Sequence, residues 1–178
     1  MKTHVMLDIE CLSNGPETAC IVQIGAAYFN PHTGDISHTF SVNVSPINQK
    51  SAVLEGSTVM WWLDQSKEAQ NAVFKNEQES LSLALLKLND FLEGVDCIWS
   101  HATYDFVIIV EAFKREQIKP KFSYKNGMDI RTLKYLSGLE ISQTREGVHH
   151  NALDDVKFKI KYVVEMLRKL NEKPNPKN

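Results

Sequence analysis

The chain has 178 residues, 43% of them hydrophobic and 24% charged, the proportions of an ordinary soluble globular protein and not of a disordered one. Its formal net charge of -2 argues against broad neutralisation of long duplex, but not against an enzyme that handles a short single-stranded end through bound metal ions. The length suits one α/β domain, expected over residues 1–171, with a frayed tail at 172–178.

No apolar run approaches a membrane span, and Met1 to His4 lead straight into a strand, so a cytoplasmic protein without membrane contact is expected. Cys11, Cys20 and Cys97 are odd in number and in no C-x-x-C spacing. Reduced thiols follow, with neither a disulfide framework nor a zinc site.

Val5 to Glu10 is an apolar run of strand length that carries Asp8 and Glu10. Side chains alternate along a strand, so both acids face one side. They repel one another there unless a cation sits between them. A strand running out into solvent is the plainer reading of the same pair. Ser13-Asn14-Gly15-Pro16 makes a turn, and residues 20–29 read as a buried strand. A hairpin connection at 30–35 returns the chain along an antiparallel strand over 36–44.

The period then changes. Residues 57–63 read as a short helix with Ser57 as its cap, and Ser66 opens another. A stronger helix is expected over 77–92, with Leu81, Ala84, Leu85, Leu88 and Leu92 in one stripe, ended by Gly94. A fourth strand at 95–100 leads to a helix over 104–116 that turns Phe106, Ile109, Val110 and Phe113 inward. This is α/β alternation. A basic connection at 119–125, a short helix over 129–136 capped by Asp129, and a last helix over 151–170 complete the chain. The last helix should bury Leu153, Val156, Ile160, Val163, Val164 and Leu167.

Two further acidic positions fall where such a fold brings them to the first pair. Asp105 lies at the junction of the fourth strand and its helix, where α/β folds place functional groups. Asp155 lies near the start of the last helix, with His150 at its entrance. Four carboxylates can hold two divalent ions, and a histidine can take a proton from the attacking water. That is the two-metal arrangement for phosphodiester hydrolysis. Spacing favours His150 over His149 as the base, and Ala152 is read as small because the helix passes close to substrate.

On these residues the chain resembles the DEDDh, or DnaQ-like, 3′-to-5′ exonucleases. Asp8-Ile9-Glu10 match the first motif, Asp105 within residues 100–106 the second, and His150-x-Ala152-Leu153-x-Asp155 the third. The wider wording, with Ile21-Val22-Gln23-Ile24-Gly25, Met60-Trp61-Trp62-Leu63 and Asp129-Ile130-Arg131-Thr132-Leu133, is similar to the branch that contains the RNase AS type exoribonucleases and the phage exonuclease DexA. One departure is His101, where many relatives have asparagine four residues before the second-motif aspartate. A partly buried histidine bonded to backbone is the plain reading of it, and a role in binding the other.

The resemblance implies an α/β fold of ribonuclease-H-like type: a mixed sheet with three N-terminal strands, including an antiparallel hairpin, flanked by helices. It implies a two-metal-ion exonuclease that uses Mg2+ or Mn2+ and releases nucleoside 5′-monophosphates from single-stranded RNA. Asp8, Glu10 and Asp155 would hold one ion, Asp8 and Asp105 would help place the second, and His150 would act as base. Leu12 wedged by the last base, Trp62 stacked on a base, His101, and Arg131 on a phosphate are the expected substrate contacts. A homodimer is compatible with the family. The alternatives are a DNA-directed exonuclease and a catalytically silent nucleic-acid-binding module on the same fold, although such a module would normally have lost an acid.

Overall fold

The computed structural model describes residues 3–172; of the expected tail, 173–178 lie outside the described residues. Strands β1 (His4–Cys11), β2 (Ile21–Phe29), β3 (Ile36–Asn43), β4 (Cys97–Ser100) and β5 (Gly127–Asp129) form one sheet in the order β3-β2-β1-β4-β5. The hairpin expectation holds: β1, β2 and β3 pair antiparallel, while β4 and β5 run parallel to β1. The mixed sheet follows from connection length. A short turn can join β2 to β3, whereas β4 is reached only after three helices.

Those helices are α1 (Gly56–Leu63), α2 (Lys67–Phe74) and α3 (Leu81–Phe91), followed later by α4 (Val107–Arg115), α5 (Ile130–Ser137) and α6 (Ala152–Glu172). Strand alternation divides the core. Val5, Leu7 and Ile9 point to the face covered by α3 and α4, where they meet Leu85, Leu88, Ile109 and Phe113. Met6 points to the opposite face, where Ile130, Val156, Ile160 and Val163 of α5 and α6 pack. Asp8 and Glu10 have the parity of Met6, so they face α6.

Several local expectations change. Ser57 does not cap α1, which begins one residue earlier after Glu55 without a side-chain cap. Helix α3 starts at Leu81 and not near 77, because the Ser80 side chain accepts from the Leu83 amide and fixes the N-terminus there. Strand β4 starts at Cys97, and the three-residue β5 was too short to leave a pattern. The chain passes from β4 into α4 through one turn of π-helix, Ala102–Phe106. Val110, Leu153, Val164 and Leu167 are half-buried, while Ile108, Lys159, Tyr162 and Met166 are buried. Glu172 belongs to α6 and not to a tail. The three cysteines are buried, and no disulfide joins them. Among the described residues no helix is long and apolar enough to cross a membrane.

The contact that positions everything else is between β2 and the start of α6. Gly25 pairs with Asp8 across the ladder, and Gln23 pairs with Glu10. A Cβ on Gly25 would stand 2.5 Å from the Ala152 carbonyl carbon and 2.6 Å from the Leu153 amide nitrogen. Backbone thus lies directly on the sheet. Beside it the buried Gln23 accepts from the Ala152 amide at 2.7 Å, satisfying one of the donors a helix start leaves open. Ala152, whose small size is expected to serve close approach to substrate, is fully buried, and it is its backbone that meets β2.

Candidate active site

Because α6 docks on the cross-strand partners of the two acids, its first turn reaches the acids themselves. Asp8, Glu10, Asp105, His150 and Asp155 line one cleft of about 440 Å³ together with His101 and Arg131. Four segments distant in sequence therefore converge there.

Asp8 is 5% exposed and Asp105 2%. Burial raises both above the ordinary carboxylate value, and Asp105, with Asp8 as its next influence, is pushed up to about 7. Glu10 is raised well above its ordinary value by burial first and then by the charge of Asp8. The π-turn aims Asp105 inward: its Oδ2 accepts from the His101 amide at 2.9 Å, and the His101 ring nitrogen lies 3.7 Å away. Burial lowers His101 to about 4, so near neutrality that ring is uncharged.

His150 has φ of 62° just ahead of α6, a left-handed conformation that a non-glycine residue adopts at a cost. Its Nδ1 lies 3.9 Å from Glu10 Oε1. The ring meets Trp61 edge to face at 4.6 Å and stacks on His149 at 3.8 Å. Burial, then His149 and Arg145, bring His150 down to about 4. Glu10, His150 and Asp155 each offer one ligand atom, and these atoms lie within 4.8 Å of one another. The two carboxylates at that separation suit a divalent cation, with the imidazole standing beside them.

Two cations of the chain stand among the acids. Lys159 donates to Asp8 Oδ1, and Arg145 donates to Asp155 Oδ1 with its guanidinium 5.0 Å from the Phe158 ring centre. Neither was expected. Lys159 had a signal, since four residues after Asp155 it shares a helix face with it. Arg145 lies in a connection without periodicity and left none.

Trp62 does not take the place expected of it. Trp62 is 2% exposed, packs with Val22, Ala69 and Val73, and donates to the Cys11 carbonyl at 2.9 Å. It has no face left for a base. Trp61 is 41% exposed and lines an adjoining pocket of about 380 Å³ with Ile9, Glu10, Asn14 and Tyr104. Leu12 is also corrected: it is buried in the cluster around Trp62 and does not line that pocket. Arg131 is exposed at the cleft rim, where it donates to Thr103 Oγ1 at 3.2 Å.

The family model for the 3'-5' exoribonuclease Rv2179c-like domain matches residues 3–167. Among solved structures, the chain is similar to the nuclease domain of 3'hExo, a DEDDh family member bound to rAMP. The TM-score is 0.67 at 21% identity, over 94% of this chain and 92% of that one. It is also similar to E. coli exonuclease I in complex with a dT13 oligonucleotide, with a TM-score of 0.63 at 13% identity. That match covers 99% of this chain and 42% of the other, so the chain spans about two fifths of the length of exonuclease I. No curated protein matches the sequence. The α/β architecture is the ribonuclease-H-like one expected.

Proposed function

The chain belongs to the family of the 3'-5' exoribonuclease Rv2179c-like domain, and from that premise we propose that this 3′-to-5′ exonuclease acts on single-stranded RNA, releases nucleoside 5′-monophosphates and works with two Mg2+ or Mn2+ ions. The observation that carries the reading is the convergence of Asp8, Glu10, Asp105, His150 and Asp155 in one cleft. The four carboxylates would hold the ions. Bound there, divalent cations supply charge to the scissile phosphate and make a water more acidic.

His150 is the base in this proposal. It is held against Trp61 and close to Glu10, and with its pKa near 4 it is neutral and able to accept a proton at a ring nitrogen. Trp61 and Tyr104 flank the pocket beside Glu10 and offer faces on which a terminal base can stack. Arg131, at the rim, is placed for a phosphate oxygen. His101 orients Asp105 through its backbone amide more directly than it serves the substrate.

The proposal extends to one working domain over residues 1–171, cytoplasmic action and a homodimer, for which sedimentation would read twice the 20.3 kDa chain mass. Digestion of end-labelled RNA and DNA oligonucleotides of matched sequence, with Mg2+ or Mn2+, tests the substrate. RNA is expected to shorten at least as fast as DNA, with mononucleotides as product. A tenfold preference for DNA would favour the exodeoxyribonuclease alternative.

A further inference from the structure

Helix α6 carries into the acid cluster a group that the reaction does not ask for. The Lys159 side chain is 11% exposed and its ammonium donates to Asp8, whose side chain is 7% exposed. A lysine so buried is tolerated only when paired. Here its partner is a carboxylate that the proposed reaction requires for metal. Arg145 makes a similar contact with Asp155, but from a connecting segment and with its side chain 29% exposed. Arg145 can turn to solvent, whereas the stem of Lys159 is fixed on a packed helix.

We propose that Lys159 is a built-in counter-cation of Asp8, one that a divalent ion must displace from that carboxylate in order to bind. The inference rests on the metal-dependent reading of the site. Without metal, the buried Asp8 and Asp105 and the half-buried Glu10 line one cleft, and the ammonium offsets part of their repulsion. With metal, the same ammonium faces a like charge across a few ångströms of poorly screened space. The lysine therefore steadies the metal-free protein and weakens ion binding. A purely structural lysine would do only the first.

The test is calorimetric titration of Mn2+ into the full chain without nucleic acid, paired with thermal unfolding with and without the ion, for wild type, Lys159→Met and Lys159→Gln. Removing the charge is expected to tighten Mn2+ binding roughly tenfold or more, to lower the Tm of the metal-free protein, and to widen the gap between the two melting temperatures. Lys159→Arg, which keeps the charge, should bind Mn2+ much as wild type does and reports on the charge even where the neutral variants fail to fold. Unchanged or weaker binding in a folded neutral variant, or tightening in Lys159→Arg, overturns the proposal. Glu10→Ala separates the two levels. Should wild type bind Mn2+ and Glu10→Ala lose it while Lys159→Met gains nothing, only the lysine inference falls; should wild type bind none, the metal-dependent reading falls with it.

Discussion

The ring of Trp61 stands edge to face on His150, with centroids 4.6 Å apart and planes at 78°. The indole thus touches the candidate base and also borders the pocket beside Glu10. Trp61→Ala is expected to raise KM and lower kcat together, by about tenfold or more, with little loss of stability. Trp62→Ala should do the reverse, costing about 3–5 kcal/mol of stability through the cavity it leaves. Steady-state kinetics and urea unfolding of both variants distinguish the roles, and the opposite pattern would return the stacking surface to Trp62.

Gly25 is the residue on which the site's assembly depends most directly. A methyl group there meets Ala152 backbone at 2.5–2.7 Å, and backbone cannot step aside as a side-chain tip can. Gly25→Ala is predicted to shift the start of α6 off the sheet, destabilising the protein by roughly 1–3 kcal/mol. It should also lower activity by at least about 10²-fold, because His150 and Asp155 move with the helix. Near-normal turnover in Gly25→Ala would show that the docking does not set the geometry.

How much of this was legible beforehand follows from the kind of signal each residue leaves. Asp8 and Glu10 could be placed on one face because strand alternation is a strict rule, and the stripe of α6 put its Asp155 end over them. Which of Trp61 and Trp62 is buried could not be decided: neighbours on a helix point about 100° apart, and only the seat of α1 on Val22 and Val73 selects one. Lys159 lay at a helical spacing that could have been used, but a lysine on a long helix ordinarily reads as solvated. The π-turn that aims Asp105 has no sequence signature.

The metal-free protein should lose stability as pH rises through neutrality. Asp105 has a folded-state pKa of about 7 against an ordinary 3.8. Its contribution is fully present below 3.8 and is lost as pH rises through about 7. Glu10, also raised, acts in the same sense. His150 and His101 run the other way: with folded values of about 4 against 6.5, they contribute above 6.5 and lose that contribution as pH falls towards 4. Above 6.5 only the acids act, so Tm in EDTA is predicted to fall between pH 6.5 and about 8. Saturating Mn2+ should flatten that slope. A flat or rising Tm in EDTA would contradict the assignment.

His150 and His149 are stacked but differently placed, the first half-buried beside Glu10 and the second exposed. His150→Ala is expected to lower the single-turnover rate by about 10² to 10⁴, leaving Mn2+ affinity nearly unchanged. His149→Ala should do little to either. A larger loss in His149→Ala would move the base to the neighbouring ring.

The central claim is that the four carboxylates of the cleft hold the ions for cleavage from a free 3′ end. Asp8 is its most exacting residue, because it is paired with Gly25 on one side and Lys159 on the other. The deciding measurement is the rate at which 5′-labelled linear RNA is shortened in Mn2+ by wild type and Asp8→Ala, with a circular RNA of the same sequence as control. Wild type should give a ladder receding from the 3′ end and leave the circle intact, while Asp8→Ala, with an unchanged circular dichroism spectrum, should retain no more than a few per cent of the rate. Wild-type-like shortening by Asp8→Ala, or cleavage of the circle, would contradict the account.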